Sequence, residues 1–250
     1  MDRMTKHIFL QVCAGLANRL RATVSGIRAA EELGCSITIS WPKEAVFAAT
    51  WPDLFESNLP AWIQFIDTPI KGARICLTAE DFNRISNTAN DIFIKSYGCF
   101  QPMDAKWLKW LRRFKARPEF LSEFGANPPV GLHIRRTDNV SSCMQSPTTA
   151  FYAAIQSLPA ATKLFLATDD PKEREAVVQS YPGRVIVFPT ECYHRCLTEG
   201  IQEAFREFVG LSRCAEIFGS VGSSFSELAA AYGDIPLRRI SLDTLFQTGV

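Results

Sequence analysis

The chain has 250 residues, 47% of them apolar and 21% charged, a composition that excludes a disordered or fibrous protein and leaves room for one large domain or two modest ones. Its 27 lysines and arginines offset 26 aspartates and glutamates to a net +1. That balance is too even to supply the phosphate-neutralising field of a nonspecific nucleic-acid binder, so no nucleic-acid partner is expected.

The opening residues offer only a short apolar run before Gly15, without the apolar core or cleavage site of a secretory signal. Nowhere does the chain hold about eighteen consecutive apolar residues, as a membrane span would, and a soluble, cytoplasmic protein is expected. The first strand is predicted over 7–12, followed by a turn at Gly15 and a helix over 17–33. In that helix Leu20, Val24 and Ile27 recur at helical spacing, Arg19, Arg21 and Arg28 face elsewhere, and Gly34 provides the stop. Further strands are predicted over 35–41, 62–67, 73–77 and 91–96. From Lys106 to Arg117 aromatics and cations alternate at helical spacing. This pattern fits either a helix lying on an anionic membrane, a possible peripheral contact, or a packed helix with a solvated basic face.

Around Asn127-Pro128-Pro129 the chain cannot stay helical, because each proline removes a donor and biases its predecessor toward extended backbone. A boundary placed there separates residues 1–127 from residues 128–250. The second part alternates strands over 130–135, 163–167, 184–188, 215–219 and 237–241 with helices over 148–157, 171–180, 199–213 and 225–232. The whole reads as α/β, with two Rossmann-like halves.

The eight cysteines are scattered, and several occupy apolar, strand-like runs where a reduced thiol acts as a small hydrophobe. Cys192-Tyr-His194-Arg-Cys196 supplies at most three soft ligands with no second pair at zinc-like spacing, so no metal site is expected.

Ligands of doubly wound sheets bind beyond the carboxyl ends of the strands, and four segments qualify. At the end of the 130–135 strand, alternation puts Gly131, His133 and Arg135 on one face and Leu132, Ile134 and Arg136 on the other. The arginine fork suits phosphate oxygens, and Asp138 could orient an arginine or meet a hydroxyl. A surface strand end with a local Arg-Asp pair is the simpler alternative. Gly219-Ser-Val-Gly222-Ser223-Ser224 runs from a strand into a helix start whose free amides suit an anion. There Ser224-x-x-Glu227 also reads as a capping box. In Thr168-Asp169-Asp170-Pro171, Asp170 reads as an N-cap with proline at the first helical position and Glu173 completing the box, while Asp169 is open to either role. The Gly15-Leu-Ala-Asn18-Arg19 turn is neither a Walker loop nor a dinucleotide fingerprint, but offers a polar, cationic helix start.

Taken together, these segments carry a resemblance. His133-Ile-Arg135-Arg136-Thr-Asp138 resembles the His-x-Arg-Arg-x-Asp signature of the fucosyltransferase superfamily that joins α1,2-, α1,6- and protein O-fucosyltransferases, and its form is most similar to the α1,6 group. Gly15-Leu-Ala-Asn18-Arg19 is similar to the family's first loop, Thr168-Asp169-Asp170-Pro171 to its middle motif, and Glu207-x-x-x-Leu211-Ser212 through Ser223-Ser224 to its last. The resemblance implies a GT-B fold whose two Rossmann-like domains face a donor-binding cleft. It implies metal-independent, inverting transfer of fucose from a GDP-fucose donor to a glycan acceptor, with no separate cofactor. It would give Arg135 the β-phosphate, with His133 and Asp138 in support as the catalytic group. Gly15, Asn18, Arg19, Asp169, Ser223 and Ser224 would line the donor, and Glu207 would reach the guanine. Two positions depart from the pattern: Glu207 stands where the family usually has aspartate, and Asn139 where the α1,6 group has lysine. A transferase for another nucleotide-sugar and a non-catalytic sugar-nucleotide-binding protein of the same fold are the alternatives.

Overall fold

The computed structural model describes residues 6–87, 91–121 and 124–244. The described residues cluster into two compact units, one drawn from Met1–Pro118 and His194–Gln202, the other from Glu119–Tyr193 and Glu203–Val250. Each unit is built on a five-stranded sheet, and strands alternate with helices along the chain, as the α/β reading expects.

The first unit contains β1 (His7–Val12), α1 (Leu16–Leu33), β2 (Ser36–Ser40), β3 (Ile63–Ile66), β4 (Arg74–Ile75), α2 (Ala79–Ser86), β5 (Ile92–Ser96) and α3 (Ala105–Leu111). Its strands run parallel in the order β3-β2-β1-β5-β4. Ile8 and Leu10 of central β1 lie level with Ile37 and Ile39 of β2 and with Ile92 and Ile94 of β5, and all six are fully buried. Helix α1 packs on this apolar face so closely that a β-carbon at Gly26 would stand 2.5 Å from Leu10 Cδ2 and 3.0 Å from Ile37 Cδ1. Gly34 then ends the helix at φ 62°, the left-handed conformation that glycine takes without cost.

Two questions that the sequence leaves open for this unit are answered by its packing. Arg19 and Arg28 are both buried: α3 covers the side of α1 that carries Arg28, with Trp107 Nε1 donating to Ser25 Oγ at 3.2 Å and Trp110 Nε1 to Glu31 at 3.0 Å, while Arg19 is covered by the chain that follows β2. Arg28 is held by Glu32 at 2.8 Å and by Asp104. The same packing gives the stretch from Lys106 to Arg117 no support as a membrane contact. The helix ends at Leu111, Trp107 and Trp110 are buried, and Phe114 and Ala116 beyond it are buried as well. The indoles that a membrane-surface helix would present to lipid are packed inside the unit instead. No helix among the described residues is long and apolar enough to cross a membrane.

The second unit contains β6 (Val130–Ile134), α4 (Val140–Gln145), α5 (Thr148–Gln156), β7 (Leu164–Thr168), α6 (Pro171–Ser180), β8 (Val185–Ile186), α7 (Thr198–Leu211), β9 (Glu216–Ser220), α8 (Ser224–Gly233) and β10 (Leu237–Ile240). The first residues of α7, 198–202, cluster with the first unit. Parallel strands lie in the order β10-β9-β6-β7-β8. Every residue of β6 is buried, and Val130, Leu132 and Ile134 join Leu164, Leu166, Phe151, Ile155 and Val177 in one core. Helices α2 and α4 were not foreseen. α2 is only eight residues long, and its start is marked by a reciprocal capping box of Thr78 and Asp81. α4 spans six residues and is capped by Asn139; neither is long enough to display a helical period.

Candidate functional site

From β6 the chain moves to β7 and β8 on one side of the second sheet, and later to β9 and β10 on the other. The carboxyl ends of β6 and β9 therefore form the switch point of this sheet, where two connections diverge and leave a place for a ligand. The Arg135 amide donates to Ser220 Oγ at 3.1 Å, tying the two strand ends together. Beyond β9, Gly222 takes φ 68° and turns the chain into α8.

Arg135 sits at the centre of this place. Its Nη1 lies 2.8 Å from Asp169, and its Nη2 is bonded to Asp138. Asp169 also accepts from the Arg136 amide at 2.8 Å and from the Thr137 hydroxyl at 2.5 Å. Burial alone would raise the Asp169 carboxyl, but Arg135, Thr137 and the Arg136 amide together hold it below the usual carboxylate range. His133, one step earlier on the same strand face, is buried and stacks on Phe225 at 4.9 Å between ring centroids. Burial, and then the charge of Arg135, lower it to about 3, so it is a neutral imidazole at physiological pH. Its Nδ1 lies 3.4 Å from Ser223 Oγ.

That contact corrects the capping-box reading of Ser224. Ser223 is the N-cap of α8, its hydroxyl is turned toward His133, and it makes no side-chain cap bond. The first amides of α8 thus have no side-chain oxygen of Ser223 across them, and Ser224 stands half-buried in the first turn. Asn139 fastens the arrangement: its Oδ1 caps α4 at Ser142 N, 3.1 Å away, and its Nδ2 donates to the Gly222 carbonyl at 3.4 Å. His133, Arg135, Asp138, Asp169 and Ser223 are thus gathered within the second unit.

Arg136 is on the opposite face, as strand parity predicts. It donates to the carbonyls of Arg135 at 2.7 Å and Ser146 at 3.0 Å, and pairs with Glu173 at 3.3 Å. Glu173 is thereby spent on Arg136 and Thr148 rather than on a capping box, while Asp170 does cap α6, accepting from Lys172 N at 2.9 Å.

Glu207 is not the solvated residue its place on the polar side of α7 suggests. It is buried and bonded at 2.5 Å to Nη2 of Arg174 in α6, which also donates to Thr190 at 2.9 Å, while Nη1 donates to Phe188 O at 2.7 Å. Burial pushes its carboxyl up to about 8 against the pull of Arg174, with Asp169 and Glu203 adding to the rise. Arg174 and Phe225 were missed in the sequence because each matters through a partner remote in the chain.

The candidates in the first unit form a separate arrangement at the end of β1. Gly15 is the N-cap of α1, and the preceding Ala14 takes φ 66°. Asn18 is half-buried in the first turn. Arg19 is enclosed: it donates to the Ala14 and Pro42 carbonyls at 2.8 and 2.9 Å, pairs with Glu44 at 2.8 Å and lies 4.4 Å from the Phe47 ring centre. Its charge is spent within the unit. Among the described residues no group of three or more histidine, cysteine or acidic side chains is arranged to hold a metal ion.

No protein-family model and no curated protein sequence matches the chain. Solved structures do. The fucosyltransferase NodZ from Bradyrhizobium superposes with a TM-score of 0.67 at 17% identity, covering 96% of each chain. A variant of Arabidopsis thaliana FUT1 in complex with GDP gives 0.61 at 12% identity, over 95% of this chain and 71% of that one. POFUT1 in complex with GDP-fucose gives 0.60 at 11% identity, over 96% and 99%. At these identities the likeness establishes the fold, which is the GT-B fold of the fucosyltransferases, as the sequence motifs imply.

Proposed function

We propose that the protein is a glycosyltransferase that moves fucose from GDP-fucose to a glycan hydroxyl with inversion and without a metal. The observation that carries this reading is the gathering of Arg135, His133 and the Gly222–Ser223 turn at the switch point of a sheet whose fold is shared with fucosyltransferases. Departure of a nucleoside diphosphate concentrates negative charge on the leaving phosphate, and fixed donors placed there lower the barrier. Arg135 supplies a charged fork already aimed by Asp169, and the first turn of α8 supplies amides and the positive end of a helix dipole. Neutral His133 contributes by its contact with the Ser223 hydroxyl, which keeps that side chain off the first amides of α8.

A micromolar donor complex needs about 8 kcal/mol, whereas a charge-assisted hydrogen bond contributes roughly 1.5 to 3. Arg135 therefore cannot hold the donor alone. The α8 amides and a base-binding contact are required, and Glu207 is the candidate for the latter. Its commitment to Arg174 favours a second reading, in which the donor carries a different base. A thermal-shift panel of GDP, UDP and ADP with their sugars tests both. A ligand at a hundred times its dissociation constant stabilises by about 2.7 kcal/mol, so a shift by GDP and GDP-fucose alone is expected, followed by transfer or slow release of fucose. A shift by another nucleotide alone moves the donor to the second reading, and silence to all of them removes the proposal.

A further inference from the structure

Both amino groups of the Arg135 fork are occupied, but by carboxylates of opposite standing. Nη1 meets Asp169, whose side chain is 18% exposed and is fixed in addition by the Arg136 amide and the Thr137 hydroxyl. Nη2 meets Asp138, which follows three residues later and is 59% exposed. Water screens an exposed ion pair and resolvates both ends when it opens, whereas separating a buried pair strands a charge. An anion arriving at Arg135 therefore enters from the Nη2 side, in exchange for Asp138.

We propose that Asp138 gates Arg135 as a displaceable carboxylate, so that the site is filled by a diphosphate and stays closed to anions with a single anchor. The proposal rests on the reading of Arg135 as a diphosphate ligand. An anion that meets Arg135 alone replaces one carboxylate by another negative group and gains little. A diphosphate brings a second phosphate to the turn before α8, where the Ser223 hydroxyl is turned away and Asn139 keeps the turn beside the Arg135 loop. That second contact offsets the loss of Asp138. Asp169 has the contrary role, as a positioning residue that keeps the fork aimed while its outer half changes partners.

Asp138→Asn preserves size and an acceptor oxygen for Arg135 while removing the charge that competes. Titration calorimetry at low ionic strength would compare wild type and this variant with GDP, inorganic pyrophosphate and inorganic phosphate. All three are expected to bind the variant about fivefold more tightly, the worth of an exposed ion pair that no longer has to open. Phosphate should become measurable only there, with melting unchanged. Pyrophosphate binding that is equal or weaker in the variant, or absent from both proteins, overturns the gate. GDP binding no better than pyrophosphate in either protein would instead remove the nucleotide reading, and the pyrophosphate comparison would still judge Asp138.

Discussion

At the scale of single residues, the two neighbouring arginines divide their labour by strand parity. Arg135 points to the switch point and Arg136 into a network with Ser146, Thr148 and Glu173. Arg135→Lys keeps a positive charge near Asp169 but loses the planar fork. It is expected to melt like wild type while kcat/KM for fucose transfer falls about tenfold to a hundredfold, the worth of one charge-assisted hydrogen bond. Near-normal turnover in the lysine variant would remove Arg135 from the phosphate. The opposed faces of these arginines were legible because a strand repeats every two residues. The orientation of Ser223 was not, because the hydroxyl is drawn from its cap by His133, ninety positions earlier. Glu207 escaped for the same reason: a helical wheel shows which side of α7 it occupies, but not that Arg174 of another helix covers that side.

At the scale of elements, the clearest tie between sequence and packing is Gly26. Alanine there would favour an isolated helix by roughly 0.5 to 1 kcal/mol, yet its methyl would enter the space of Leu10 and Ile37. Overpacking of this kind costs about 1 to 3 kcal/mol and outweighs the propensity gain. Gly26→Ala should therefore lower the midpoint of urea unfolding without changing its slope, and an unchanged midpoint would show that α1 can lift from the sheet. Strands and long helices were legible because their apolar periods run over enough residues to stand out. The basic, aromatic stretch around α3 was ambiguous, since its pattern of cations and tryptophans is the same whether the indoles meet lipid or α1. The resolving fact is tertiary: Trp107 reaches Ser25 and Trp110 reaches Glu31.

At the scale of the whole molecule, two buried groups of the second unit set opposite pH dependences of stability. His133 is lowered from 6.5 to about 3, so between those values the unfolded chain binds the proton and the folded one does not. Stability contributed by His133 is present above pH 6.5 and is lost as the pH falls toward 3. Glu207 is raised from 4.5 to about 8, so the folded chain keeps a proton that the unfolded chain releases, and its contribution is present below pH 4.5 and lost as the pH rises through 8. The two slopes oppose each other between 4.5 and 6.5, so this pair of groups together favours that window. Glu207→Gln should flatten the alkaline limb in chemical denaturation measured across this range, because the amide keeps a carbonyl for Arg174 and has nothing to titrate, while the acid limb set by His133 stays. An alkaline limb of full steepness in the glutamine variant would mean that Arg174 keeps Glu207 ionised in the folded protein. The carboxylate would then be ready to accept hydrogen bonds from a donor's base at neutral pH rather than to offer one.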